Sequence, residues 1–572
     1  DSGQTWRQFE WLNESLQARD IAFDKSGEAW VLGDNGNFYS MDYRKKINLQ
    51  TNRGNDDFDN IATNNIRMWF SNNGDGSHDP FTDGNGLYWP GGVNAINSAI
   101  FEDGFLWGGV VDGDTVVHGS TYRYGLQPGN ILENGQAADP FDDSFYIWRA
   151  NDNWPIISDM TAQRMEFDWN NWPSQLGAPY NDINQDGEYN PQTDNPVKYG
   201  DEMYWMVMND LDTARTNFLY GSDPVGVEIQ VSIYAYQSEL LRDVVFKKYK
   251  LINKSGKTIT DMYFSFWSDP DLGAAGDDFV GCDTILNLGY CYNGTNNDNI
   301  YGIPPAAGYL LLQSPVFEAV SSDSAYFNDS WHSGYRNCDL SSFIDFTKSA
   351  LYPDPIMGMI EGTHQTYNYM TGKNWNNTDI LNPHTGKATR FMVAGDPLMG
   401  TGWYEGSGWP GGPAPGDRRM MLTAGPVTMN PGDSQEVVYA IIMAQGVNNL
   451  HSIAELKSKA KAVGEFYYNG DFIIAIADEN TPGPDRYSLA QNYPNPFNPI
   501  TTISYTLPVT SDVELSIYNI LGQRVATLVS EKQQAGLHKI RWDAGKIAGG
   551  IYYYKLEAGK SFSETKKLVL IK

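Results

Sequence analysis

The chain is poor in the residues that staple small secreted domains or arm many enzymes. It has 3 cysteines in 572 residues, Cys282, Cys291 and Cys338. Three are too few for a disulfide scaffold, and an odd number leaves at least one thiol unpaired within the chain. Cys282 and Cys291 are spaced either to bridge neighbouring strands or to remain buried thiols, and the sequence leaves both open. No Cys-x-x-Cys or Cys-x-x-His pair occurs, which argues against zinc sites of the common kinds. Basic residues are scarce: 40 Lys and Arg stand against 70 Asp and Glu, a net charge of −30. Nucleic acid is therefore not an expected partner, because phosphate backbones demand Lys and Arg surfaces, and anionic lipid is disfavoured too. No apolar run approaches the roughly 18–20 residues that span a bilayer, so no transmembrane segment is expected. The 7 histidines are scattered, none in a His-x-His or His-Glu-x-x-His arrangement. No nucleophile elbow or phosphate-cradling Gly-Lys loop is recognisable, which disfavours a conventional hydrolase or nucleotide enzyme.

What is present is apolar and aromatic mass. Hydrophobic residues make up 41% and aromatics 13% of the chain, enough for real cores. The length suggests roughly three or four domains. Residue 1 is Asp and no signal peptide is visible, so the expectation is a chain processed or incomplete at its start. Acidic, Asn- and Gly-rich surfaces suit solubility and bound divalent cations outside the cell.

The expected fold class is all-β, mostly sandwich-like with long loops, one notable helix near 450–468 and an Ig-like sandwich at the C-terminus. Four segments follow: 1–49, a hairpin segment; 50–475, a large β-rich region of one or two sandwich subdomains; 476–486, with linker composition; and 487–572, a small sandwich. In "VGVEIQVSIYAYQ" (Val225–Gln237), Val227, Ile229, Val231, Ile233 and Ala235 lie on one face and Glu228, Gln230 and Ser232 on the other. Turns at Asn253–Gly256 and at Asn430–Asp433 each separate two strand patterns, which predicts hairpins. Leu450, Ile453, Leu456, Ala460 and Val463 form one helical stripe. In "DVELSIYN", Val513, Leu515 and Ile517 point inward.

The strongest ligand motif is "NDINQDGEYNPQTDNP" (Asn181–Pro196). Asp182, Asn184 and Asp186 alternate ahead of Gly187, Glu188 offers a backbone carbonyl, and Asp194 follows. Alternate residues of a tight loop present hard oxygens to one calcium ion, and the Gly allows the reversal. The competing reading is an Asx-rich turn that hydrogen-bonds itself. Calcium is the expected cofactor, in a structural role. A second acidic run holds Asp269, Asp271, Asp277, Asp278 and Asp283; such carboxylates repel unless solvated or bridged by a cation, so the first four form a second candidate calcium site. Glu228 with Asp269 and Asp271 as a glycosidase pair is a weaker alternative. Of 17 tryptophans, Trp69, Trp89, Trp107, Trp403 and Trp409 sit in Gly-, Pro- and Asn-rich stretches. Trp403 and Trp409 are the candidate glycan platforms, against the reading that large aromatics simply order the core.

Three resemblances add to this. "DSGQTW" (Asp1–Trp6) resembles the Asp-box turn of sialidase-like propeller repeats, and Leu16–Asp42 resembles the rest of one blade. That implies a stabilised hairpin turn, not catalysis, either as the end of upstream repeats or as a lone hairpin. "LWGGVVDGD", "SDPDLGAAGDDFVGCDT", "YGIPPAAGY" and "GDRRMML" together resemble a large group of uncharacterised secreted proteins of Bacteroidota and neighbouring phyla. "NYPNPFNPITTISYTLP", "LSIYNILGQRVATL", "GLHKIRWDA", "GGIYYYKL" and "KKLVLIK" resemble, in order, the type A C-terminal sorting domain of the type IX secretion system, over Tyr487–Lys572. This implies a cargo of a diderm bacterium that meets the type IX machinery through 487–572. Its location is extracellular or the outer cell surface, with a sortase that often removes the domain. Pro494, Pro496 and Pro499 force extended backbone at its entry. The expected function is a secreted, non-enzymatic cell-surface or matrix structural protein, calcium-stabilised and assembling with itself as a filament or sheath subunit. The alternative is a secreted glycan-binding protein, adhesin or glycoside hydrolase that recognises surface glycans.

Overall fold

A computed structural model describes residues 56–151, 160–321, 323–346, 351–469, 487–489, 492, 500–533, 536–545, 547–559 and 562–570, and the strands Ala18–Phe23, Glu28–Gly33 and Phe38–Asp42. Those three strands form their own antiparallel sheet. The Asp-box, the linker 476–486 and Pro494, Pro496 and Pro499 lie outside the described residues. The chain divides into two compact units, one up to Gly464 and one from Glu465.

Two large antiparallel sheets build the first unit. One has ten strands, with Glu102–Val111, Ile259–Asp269 and Arg419–Met429 adjacent at its centre and Leu340–Phe346 at one end. The other has nine, with Glu202–Asn209, Val227–Ala235, Val244–Asn253, Ser434–Ala444 and Ala306–Gln313 in that order. Their facing sides share a single hydrophobic core, which includes Phe105, Met208, Val231, Tyr249, Phe264, Leu422 and Ile441. Each buried aliphatic or aromatic side chain contributes roughly 1.5–3 kcal/mol to holding the sheets together.

Both expected hairpins are instead crossings between sheets. Val244–Asn253 belongs to the nine-stranded sheet and Ile259–Asp269 to the ten-stranded one; Arg419–Met429 and Ser434–Ala444 are divided the same way. The two crossings lie side by side and pair with each other in both sheets. Asn253 ties them: its backbone N–H donates to Asp433 O at 3.0 Å and its Nδ2 to Met429 O at 2.9 Å. A short Asn/Gly turn satisfies either connection, and only the burial of both flanking strands selects the crossing.

Strand Val227–Ala235 keeps its apolar set in the core as the alternation predicts, but its other face is buried as well. Long connections fold over it: Glu228 accepts from Ile131 N at 2.8 Å, and Gln230 Nε2 donates to Leu176 O at 3.3 Å. Helix Asn449–Asn469 buries Ile453, Leu456, Ala460 and Val463, whereas Leu450 is 38% exposed. Lys459 Nζ on that helix donates to Asp243 Oδ2 at 2.6 Å, fastening it to the nine-stranded sheet. Helix Ile360–Met370 covers the ten-stranded sheet, where Ser342 Oγ donates to Tyr369 O at 3.1 Å. Its Gly-, Thr- and Tyr-rich sequence has weak helix propensity, so tertiary packing holds it.

The second unit is a small sandwich of a three-stranded and a four-stranded sheet. Val513, Leu515 and Ile517 point into its core with Ile503, Trp542, Tyr554 and Leu568. Asn492, at the head of the Pro-rich stretch, is buried; its N–H donates to Tyr554 Oη at 2.8 Å and its Nδ2 to Thr501 Oγ1 at 2.9 Å.

Candidate functional site

The loop 181–194 follows from its own Asx chemistry. Gln185 and Gly187 take left-handed backbone, φ 60° and 82°, which reverses the chain twice within three residues. Asp182 accepts from Asp186 N at 3.2 Å and Gly187 N at 2.9 Å, and Asp186 accepts from Glu188 N at 2.9 Å. Asn184 Nδ2 donates to Asp186 Oδ2 at 2.8 Å. Asp194 is buried and closes the loop, accepting from Ile183 N at 3.1 Å and Asn190 N at 2.8 Å. Burial pushes its carboxyl up, but the N–H groups of Asn190 and Ile183 outweigh that and hold it below the ordinary aspartate value. One carboxylate oxygen each of Asp182, Asp186 and Asp194 falls within 4.8 Å of the others. The Glu188 carboxylate is not among them. Three oxygens on a compact loop suit a hard cation such as calcium, which takes further backbone and water oxygens. Tyr189 fastens this loop to helix Met160–Asn170, its Oη donating to Trp169 O at 2.6 Å.

The second acidic run does not stay together. Asp269 and Asp271 meet Asp417, a residue far away in sequence, with ligand oxygens within 4.8 Å of one another. Asp277 and Asp278 face another way: Asp277 Oδ1 accepts from Asn293 Nδ2 at 2.8 Å, and buried Asp278 accepts from Leu272 N at 3.0 Å. Alternation at the end of strand Ile259–Asp269 and the 3-10 turn Ala275–Asp277 separate the two pairs. Asp269 Oδ2 accepts from Tyr122 Oη at 2.6 Å, while Oδ1 is buried without a hydrogen-bond partner. Burial, and then the charge of Asp271, push Asp269 up to about 7. Glu228, the third member of the weak glycosidase reading, is instead paired with Lys254 Nζ at 2.5 Å.

A third group was not legible in the sequence. Asp75, His78 and Glu102 bring ligand atoms within 4.8 Å of one another. Asp75 and His78 share a tight turn, but Glu102 comes from the next long strand, so only sheet register unites them. The stretch "DGSHD" (Asp75–Asp79) is the signal that was there to read.

The tryptophans correct one expectation. Trp403 is 2% exposed and packs edge-to-face on Trp409 at 5.0 Å; Trp107 is fully buried as well. Their Gly-rich flanks allow close packing rather than access to a ligand, because Gly leaves room for backbone to approach a ring. Trp409 is half-buried against the same core. All three cysteines are free thiols. Cys282 pairs across to Gly289 and Cys291 to Val280, so the two are diagonal rather than directly opposed. Burial raises both thiols, most strongly Cys291.

Among the described residues no helix is long and apolar enough to cross a membrane. No curated protein matches the chain. Among solved structures, a polysaccharide lyase is 8% identical, over 60% of this chain and 34% of its own, with a TM-score of 0.18. The adhesin domain of Epf from Streptococcus pyogenes is 7% identical, over 59% of this chain and 82% of its own, with a TM-score of 0.13. This chain thus spans about a third of the lyase's length, and at those TM-scores neither likeness bears on fold or function. Residues 491–572, which hold most of the small sandwich, match the model of the secretion system C-terminal sorting domain. Such a tail makes the chain a cargo of the type IX route, exported to the cell surface or the extracellular space.

Proposed function

We propose that the exported chain is a non-enzymatic structural component of the cell surface or matrix, with a calcium-stabilised main sandwich, and that the chain assembles with further copies of itself. The observation that carries this reading is the sorting domain, because it places the protein where calcium is abundant and structural proteins act. The convergence of Asp182, Asp186 and Asp194 supports the calcium part. Long edge strands support the assembly part: among the described residues, Arg524–Gln533 and Phe562–Leu570 each end a sheet. Unpaired strand edges are templates for pairing with another chain. Thermal melting with calcium and with chelator tests the metal: the main unit melts higher with calcium, and Asp186→Ala removes the difference. No shift in either protein removes calcium from the account.

A glycan-binding reading is favoured by a cleft lined by aromatic rings other than Trp403 and Trp409. This cleft of about 450 Å³ is lined by Tyr146, Trp148, Phe167, Trp172, Tyr189 and Asn171, among others. Phe167 is 41% exposed, and Tyr146 stacks on Trp148 at 4.4 Å. Rings flanked by amide side chains suit sugar faces. Glycan-array binding that is lost in Phe167→Ala and kept in Trp409→Ala supports this reading; an array without signal removes it.

A further inference from the structure

Carboxylates buried in the main sandwich meet either a protein cation or, as Asp194 and Asp278 do, backbone N–H groups. Asp103 pairs with Lys247 in the core, Glu202 with Arg149, and Glu405 with Arg418 at 2.7 Å. Glu102 is different. It is 5% exposed, and among the described residues it has no Lys or Arg partner; the side chain that meets its carboxyl is another acid, Asp75. Its neighbours are acids: Asp269 lies directly opposite on strand Ile259–Asp269, and Asp75 lies beside it, opposite Gly104 on the flanking strand. Asp75 Oδ1 and Asp269 Oδ1 are both buried without partners. Arg419, the nearby guanidinium, is already committed to Asp354 and Asp417. Burial and the neighbouring Asp75 push the Glu102 carboxyl well above the ordinary glutamate range, so the pair is neutralised either by a shared proton or by a cation from outside the chain.

The remaining member of the group gives that charge a chemical identity. His78 has Nδ1 3.2 Å from Asp75 Oδ2 and Nε2 3.2 Å from Asp83 Oδ1. One ring nitrogen turns toward the buried acids while the other meets an outer carboxylate. That is the pattern by which an outer carboxylate fixes the tautomer and orientation of a metal-binding imidazole. The turn that carries the group is held before any ion arrives. Ser77 Oγ donates to Asp103 in the core, and a Cβ at Gly76 would come within 2.5 Å of Asp103 Oδ1, so only Gly lets the turn sit this close. Phe101 packs against His78, its ring centroid 5.9 Å away.

From this geometry we propose that Asp75, His78 and Glu102 bind a divalent first-row metal ion such as Zn2+ or Mn2+, with Asp83 orienting His78. One imidazole and two carboxylates match the ligand preferences of those ions better than the all-oxygen set calcium prefers. The ligand atoms lie within 4.8 Å of one another, so small side-chain rotations bring them onto one small cation. This site is independent of the 181–194 loop and of the role proposed above.

Titration calorimetry of the chelator-stripped full chain with Zn2+, with Mn2+ and with Ca2+ tests it, alongside metal analysis after dialysis. The expected result is one equivalent of Zn2+ or Mn2+ that Ca2+ does not displace. Binding is lost in Glu102→Gln and His78→Gln, and unchanged in Asp186→Ala. Asp83→Asn alters a side chain that is 98% exposed, so folding is not at stake; it should weaken binding about tenfold. Absence of binding, displacement by Ca2+, or an affinity that Asp83→Asn leaves untouched each overturns the proposal.

Discussion

The two sandwiches solve the same packing problem with opposite treatment of their outer faces. In the C-terminal unit, strand Phe562–Leu570 alternates between half-buried and exposed positions up to Lys567 and then buries Leu568 and Leu570, one face toward the core and one toward water. Its fully buried polar residues, among those described, are the uncharged Asn492, Thr501, Ser511 and Ser516. In the main unit, all nine residues of Val227–Ala235 are buried, and Asp103, Lys247, Glu202, Glu405 and Arg419 lie in the interior. Loops and helices cover the outer faces of its sheets, while the inner faces pack on each other. A small exported domain can rely on apolar burial alone, whereas a body clad on both faces must neutralise the charges that the cladding traps.

The largest test of that contrast is Lys247→Met. It leaves Asp103 buried without its cation and should destabilise the main unit by about 3–5 kcal/mol in denaturant unfolding. Adding Asp103→Leu should recover most of the loss; if the single variant is silent, the charge pairing is not structural. Next, Leu515→Ala in the fully apolar core of the C-terminal unit should cost about 3 kcal/mol and shift only that unit's transition.

A smaller effect separates the two units by pH. His118 is buried beside Asp210, Nδ1 to Oδ2 3.8 Å, and burial lowers it to about 3 while burial raises Asp210 to about 6. The native state resists protonating His118, so its contribution falls as pH drops from the unfolded value near 6.5 toward 3, by about 1.4 kcal/mol per pH unit. Asp210 works in the other direction: native protein takes up its proton near pH 6, before the unfolded chain does, and gains stability on acidification. Relative to the parent, His118→Gln should therefore become more stable by about 2 kcal/mol between pH 6.5 and 5. Parallel pH curves for variant and parent would refute the assignment. The C-terminal unit, without such a pair among its described residues, should show no corresponding difference. The smallest change expected is Lys555→Ala, whose ion pair with Glu557 is partly exposed; it should leave the C-terminal melt nearly unchanged.

The same contrast explains what could be read from the sequence. Period-two alternation placed Val513, Leu515 and Ile517 in one core and Val227 to Ala235 in the other, because one face of each strand must be apolar. It could not tell a hairpin from a crossing at Asn253–Gly256, since both need the same turn residues. The 181–194 loop was visible because its carboxylates are neighbours in the chain. The grouping of Asp269 and Asp271 with Asp417, and of Asp75 and His78 with Glu102, depends on strand register, which one sequence does not reveal. Trp403 shows a related limit: Gly-rich flanks look like an open loop, yet they let the ring pack tightly, and it is 2% exposed.

The central claim is a calcium-dependent structural role outside the cell. Electron microscopy of the purified full chain at millimolar calcium tests it most directly, before and after chelation and in Asp186→Ala. The account predicts ordered assemblies that disperse on chelation and do not form in the variant. Single dispersed particles under all three conditions would contradict it.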